Sequence, residues 1–166
     1  RRMPRFEYLK PQSFQDVLEL LQDDTPNRYR VFAGGTDLMD QLKQRKIDVP
    51  ETVIDLKGLA ELDYIKFDKS TGLRIGALTT VTDVAKSPEI EQHYQALSQG
   101  AREIASIQIQ NRATITGNIC NAVSSADSAP PLLALGAEVI CASGKGERTI
   151  KIEDFFTGPG KRWMNM

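Results

Sequence analysis

The stretch VFAGGTDLM, residues 31–39, constrains the fold more than any other part of the chain. An apolar run meets two glycines, a threonine and an aspartate, and then a helical pattern. A strand that hands over to a helix through Gly34-Gly35 places the helix's free N–H groups beside a backbone without Cβ atoms. Such a turn serves either simple chain reversal before a capped helix or the close approach of an anion, typically a phosphate. The spacing is not GxGxxG, so it makes a poor Rossmann fingerprint. It is not GxxxxGK[ST], which excludes a P-loop.

The flanks extend the pattern. Ser13 suits an N-cap, with Asp16 at the third helical position, and Phe14, Val17, Leu18 and Leu21 follow on one face. This helix is expected to run to Asp23-Asp24, before Pro26. YRVFA reads as a buried strand, DLMDQLKQRK as a short helix and ETVIDL as a second strand. Residues 1–60 therefore predict a small αβαβ unit. LDYIKFD and GLRIGAL, joined by KSTG, predict a β-hairpin. Thr82 is placed to cap a short helix, and Pro88 opens a longer one carrying Ile90, Tyr94, Leu97, Ala101 and Ile104. SAPPLLALGAEVICAS predicts a helix that starts through Ser and Pro and turns at Gly136 into a strand. GKGE returns the chain into RTIKI, and IEDFFTG adds a helical turn. The fold class is α+β in two parts, with the boundary near residues 57–63.

Composition narrows the function. Of the 166 residues, 40% are hydrophobic, enough for a real core. A net charge of −1 with interspersed signs lacks the basic face of a nucleic-acid binder. No apolar run reaches the roughly 20 residues that span a bilayer, and RRMPRFEYLKPQSF has no apolar core of a secretory signal. Cys120 and Cys141 stand 21 residues apart with one histidine in the chain, a poor basis for a metal or cluster site. A cytoplasmic, reducing setting with two buried thiols is the expectation. Arg1 preceding Met3, and the ending GPGKRWMNM with its lone Trp163, suggest a cut chain.

Two further stretches carry chemistry. NRATITGNICNA, residues 111–122, offers backbone amides with Thr114, Thr116, Gly117, Asn118 and Asn121. This neutral donor set suits a pyrophosphate, and equally a polar connection. SSADSAPP offers Ser124, Ser125, Asp127 and Ser128, either as a helix cap or as partners for the hydroxyls of a sugar or sugar alcohol. The two Gly-containing stretches at 31–39 and 111–122, roughly eighty residues apart on different halves of the chain, suggest a ligand held between two subdomains. His93 lies on a helix with no partner for nucleophilic catalysis. Asp23-Asp24 reads as solvated surface.

FAGGTDL, followed by IQIQNRATITGNICNAVSSADSAPPLLALGAEV, resembles the FAD-binding (medium) subunit of the molybdenum hydroxylases, the xanthine dehydrogenase and carbon monoxide dehydrogenase family. The resemblance runs from FEYLKPQSFQDVLELL to IEDFFTGPGK. It implies an α+β FAD-binding fold of the vanillyl-alcohol-oxidase (PCMH) type, with FAD clamped between subdomains: residues 1–60 as the smaller, 61–166 as the larger. The resemblance also implies a C-terminal domain in the family's subunit, which this chain is expected to lack. By the same likeness Ala33, Gly34, Gly35, Thr36, Asp37 and Leu38 form one cofactor loop. Thr114, Ile115, Thr116, Gly117 and Asn118 form the other. Asp127 matches the acidic position near the ribityl chain, and Ser124 lines the same wall. The family's second loop usually reads TIGGN. Thr116 replaces its first glycine, and a β-branched residue resists positive φ.

The resemblance implies an electron-transfer flavoprotein without catalytic residues of its own for an organic substrate. Molybdopterin would sit in a large partner subunit and two [2Fe-2S] clusters in a small one. NAD+ or another acceptor would take the electrons, and the assembly would be a dimer of heterotrimers. The alternatives are a stand-alone FAD-dependent reductase of the same fold and a non-catalytic nucleotide-binding module.

Overall fold

The computed structural model describes residues 4–33, 36–107, 112–120 and 129–155. Strands β1 (Glu7–Leu9), β2 (Tyr29–Phe32) and β3 (Thr52–Asp55) form a parallel sheet in the order β1-β3-β2. Central β3 is buried along its whole length, as a strand covered on both faces must be. Helix α1 (Phe14–Leu20) connects β1 to β2, and α2 (Thr36–Gln44) connects β2 to β3. Ser13 caps α1 as its sequence predicts, its hydroxyl accepting the Asp16 N–H at 3.1 Å. The helix ends at Leu20, short of Asp23-Asp24. There Asp23 is occupied otherwise: its carboxylate accepts the Thr25 N–H and hydroxyl and pairs with Arg28 at 2.9 Å. Strand β1 escapes the sequence reading, so the predicted αβαβ unit is a βαβαβ unit. Its three residues are all exposed and carry no alternation.

The chain then crosses a 3₁₀ turn (Ala60–Leu62) into the predicted hairpin, β4 (Ile65–Asp68) with β5 (Gly72–Ile75). Helix α3 (Val81–Lys86) follows. Its cap is Thr80, not Thr82: the Thr80 hydroxyl accepts the Asp83 N–H at 3.1 Å. The helix expected from Pro88 is two, α4 (Pro88–His93) and α5 (Gln95–Ile107). They break at Tyr94, whose backbone leaves the helical region at φ −137°, ψ 58°. Ile90, Leu97, Ala101 and Ile104 are still buried together across the break. Helix α6 (Ile115–Cys120) forms where a polar connection was one reading. Then come α7 (Ala129–Ala134), the antiparallel pair β6 (Glu138–Ser143) and β7 (Gly146–Lys151), and α8 (Ile152–Phe155). The cysteines depart from expectation: Cys120, last in α6, is exposed, and Cys141 is half-buried. Trp163 lies outside the described residues.

Buried apolar residues gather in two clusters. Val17, Ile54, Leu56 and Leu59 form the smaller, beneath the parallel sheet. The larger joins Val81, Val84, Ile90, Leu97, Ala101, Ile104, Ile115, Ile119, Leu132, Ile152 and Phe155. Between them the backbone is stitched tightly. The Gly76 N–H donates to the Tyr64 carbonyl at 2.8 Å and the Leu78 N–H to that of Leu62 at 2.9 Å. Buried Thr79 donates its hydroxyl to the Tyr64 carbonyl at 2.9 Å and accepts the Tyr64 N–H at 3.0 Å.

Candidate functional site

The first loop begins where β2 ends. Phe32 is buried, and its carbonyl accepts the Leu56 N–H at 2.8 Å, so the chain leaving β3 runs alongside the chain leaving β2. Ala33 is half-buried; Thr36, Asp37 and Leu38 occupy the first turn of α2. Gly34 and Gly35 lie outside the described residues. The same edge holds a carboxylate that the sequence did not flag. Asp55 is 3% exposed at the end of β3, opposite Phe32 in register. It accepts the Lys57 N–H at 2.9 Å and the Tyr8 hydroxyl. That hydrogen bond pushes the Tyr8 phenol pKa upward.

The second stretch is anchored through α3. Thr80 and Thr114 face each other in an antiparallel bridge, and the Val81 N–H donates to the Ala113 carbonyl at 2.8 Å. Two helices, α3 and α6, therefore start side by side, each preceded by a threonine. The Thr114 hydroxyl accepts the Gly117 N–H at 2.9 Å. Among the first amides of α6 this leaves those of Ile115 and Thr116 without an acceptor inside the helix. Ile115 itself is buried and pins the helix to the larger core. Thr116 is helical, and among the described residues other than glycine only Asn27 and Arg45 have positive φ. Its β-branch is thus compatible with the backbone. At Gly117 a Cβ would stand 2.9 Å from the Thr114 hydroxyl oxygen, so the missing side chain preserves the cap. Asn118 lies in the same helix. Ser124 and Asp127 lie outside the described residues.

The exposed His93 ring stacks on Phe67 at 4.3 Å, where it covers the hairpin. Among the described residues no group of three or more His, Cys, Asp or Glu is placed to hold a metal ion. Among them, too, no helix is long and apolar enough to cross a membrane.

A parallel sheet with its connecting helices, a hairpin and a helical cluster place this chain in the α+β class, and two of its helix starts, at Thr36 and Ile115, are of the kind that suits a phosphate. Similarity to known proteins gives that class a family. Residues 4–165 match the family described as the FAD binding domain in molybdopterin dehydrogenase. The nicotinate dehydrogenase FAD-subunit of Eubacterium barkeri is 36% identical over 163 residues, 98% of this chain and 54% of that protein. A putative xanthine dehydrogenase FAD-binding subunit of Escherichia coli (strain K12) is 40% identical over 154 residues, 93% of this chain and 52% of that protein. Among solved structures, a carbon monoxide dehydrogenase from Hydrogenophaga pseudoflava superposes with a TM-score of 0.85 at 32% identity, covering 95% of this chain and 54% of that one. The chain belongs to the FAD-binding domain family of molybdopterin dehydrogenases, and its fold is of the PCMH type. It spans about half the length of the relatives it matches.

The donor chemistry of the second stretch fits FAD. Thr114 caps the Gly117 amide, and the two earlier amides of a helix start are the kind of donor that would suit a phosphate. Segment 114–118 carries no charged side chain, so a phosphate there would meet only backbone amides and neutral side chains.

Proposed function

We propose that this chain is the FAD-holding part of an electron-transfer flavoprotein subunit in a molybdenum-containing hydroxylase or dehydrogenase. The observation that carries this reading is the family match over residues 4–165, joined to a second helix start whose amides suit a phosphate. Ala33, Gly34, Gly35, Thr36, Asp37 and Leu38 form the first cofactor loop. Thr114, Ile115, Thr116, Gly117 and Asn118 form the second, with Ser124 and Asp127 along the ribityl chain. When bound, the flavin supplies the redox chemistry, and the protein binds, orients and tunes it. The residues of this chain hold the diphosphate with backbone amides and fix the start of α6 through Thr114 and Thr80.

In this reading residues 1–60 and 61–166 are two subdomains with the cofactor clamped between them, a division that the two separate apolar clusters support. Electrons arrive from [2Fe-2S] clusters of a small partner subunit, fed by a molybdopterin-bearing large subunit, and leave to NAD+ or another acceptor. The complex is cytoplasmic, a dimer of heterotrimers. Gentle purification of the native protein tests the assignment. FAD with iron–sulfur absorbance and two co-purifying subunits is the expected result. A colourless, solitary protein that refuses added FAD would overturn it. Gly35→Val tests the loop: it should lose flavin with the far-ultraviolet circular dichroism intact, and full retention of FAD would remove Gly35 from the site.

A further inference from the structure

The three parallel strands end at one edge, because Leu9 pairs with Ile54 and Phe32 with Asp55. Ligands of parallel α/β units collect outside that carboxyl edge. Lys10 follows β1 directly, Ala33 follows β2, and Leu56, Lys57 and Gly58 follow β3. The two lysines converge on this exit. The Lys57 ammonium stands 4.6 Å from the centroid of the Phe32 ring, one residue before the glycine loop's Ala33. Lys10 lies across Gly58, its ammonium 4.0 Å from where a Cβ would be.

Neither lysine has a carboxylate within ion-pair distance among the described residues. The nearest candidate in sequence, Asp55, gives its oxygens to the Lys57 N–H and the Tyr8 hydroxyl instead. Segments 33–38 and 114–118 hold no lysine or arginine and one acidic residue, Asp37. A diphosphate carries two negative charges, and backbone amides alone leave them uncompensated. Cations placed at the edge of a charged site supply what the amides lack. The ring under Lys57 pre-positions its ammonium, which lowers the ordering cost on binding.

We propose that Lys57, assisted by Lys10, is a cationic contact for the cofactor's diphosphate and a determinant of this chain's preference for FAD over a flavin without phosphates. The proposal rests on the reading of residues 33–38 as a cofactor loop. It is tested in the full-length protein stripped of flavin, by titrating FAD and riboflavin against fluorescence quenching at several salt concentrations. Lys57→Gln should weaken FAD binding about tenfold, and the double variant with Lys10→Gln more. The dependence of log Kd on log salt should become shallower in step. Lys57→Arg should keep most of the affinity, riboflavin binding should be unchanged throughout, and Lys145→Gln, in the turn between β6 and β7, should behave as wild type. An unaltered FAD Kd and salt slope in Lys57→Gln would overturn the proposal while the cofactor reading stood. Equal losses for FAD and riboflavin would also overturn it, because they mark a structural effect. Wild-type protein that binds no FAD would remove the cofactor reading and this proposal with it.

Discussion

Two glycines without unusual φ angles show how a single missing methyl can be placed for different reasons. At Gly117 an added Cβ would meet the Thr114 hydroxyl oxygen at 2.9 Å. That oxygen sits on a side chain and can rotate away, at the expense of the α6 cap. Gly117→Ala should therefore cost about what a lost N-cap costs, ~0.5–2 kcal/mol, and Thr114→Val should cost a similar amount, read from urea midpoints. At Gly76 the Cβ would stand 2.2 Å from the Leu62 carbonyl oxygen and 2.8 Å from its carbon. Backbone cannot swing aside there, because that same carbonyl is held by the Leu78 N–H. Gly76→Ala should exceed Gly117→Ala, at or above the ~1–3 kcal/mol of ordinary overpacking. Equal midpoints for the two variants would show that the junction yields. Neither requirement is legible in the sequence. There Gly117 reads as a close-approach glycine for a ligand, and Gly76 as one letter of a strand. Thr116 shows the converse: family likeness puts it at a position needing positive φ, and inside the first turn of α6 it needs none.

At the level of elements, the β4–β5 hairpin carries an unfavourable pair. Lys66 and Arg74 are directly opposite and both exposed, and both lean on Tyr64. The Lys66 ammonium is 4.8 Å from the Tyr64 ring, and the Arg74 Nε donates to its hydroxyl at 3.1 Å. Like charges in that register oppose pairing. Lys66→Glu should stabilise the protein by ~0.2–1 kcal/mol, with the gain shrinking in high salt; a loss would mean that the cation–ring contact outweighs the repulsion. The turn of the same hairpin titrates. Asp68 accepts the Ser70 hydroxyl, the Ser70 N–H at 2.7 Å and the Thr71 N–H at 3.2 Å, which hold its pKa below the ordinary carboxylate value. The folded pKa is lowered, so its stabilisation is full above the unfolded pKa and is lost as pH falls through the folded one. Asp68→Asn should thus lower the urea midpoint at neutral pH and leave it near wild type once pH drops well below about 4. The elements that sequence makes legible have local signals. Ser13 with its apolar stripe, the KSTG turn, and Gly136 after a Leu-rich helix each state a boundary in a few residues. The missed ones depend on distant partners. Strand β1 exists only because Glu7–Leu9 pairs with Thr52–Ile54. Thr80 outcompetes Thr82 as a cap because its backbone is bridged to Thr114. The break at Tyr94 follows no proline or glycine; there the ring packs edge-on against Phe67, with centroids 6.0 Å apart.

For the whole molecule, the two apolar clusters raise a question of coupling. One holds the parallel sheet and the other the helices, with the Tyr64–Thr79 stitch between them. The two proposed cofactor segments fall on opposite sides of that stitch: Ala33 follows β2 and Thr36–Leu38 open α2, beside the sheet, while Thr114–Asn118 lies with the helices. A ligand that touches both must be released before either part opens. At a concentration of about 100 Kd it would add ~2.7 kcal/mol to the opening of each. A cavity made in one cluster tests this. Ile54 and Ile90 are both fully buried, one per cluster, and truncation of either to alanine should cost ~2–5 kcal/mol. Without FAD, Ile54→Ala should speed amide hydrogen exchange in β3 more than in α5, and Ile90→Ala should do the reverse. Saturating FAD should then slow exchange in both elements of both variants. Protection confined to one element would place the flavin on a single subdomain, and the picture of a cofactor clamped between two would fail even if FAD bound tightly.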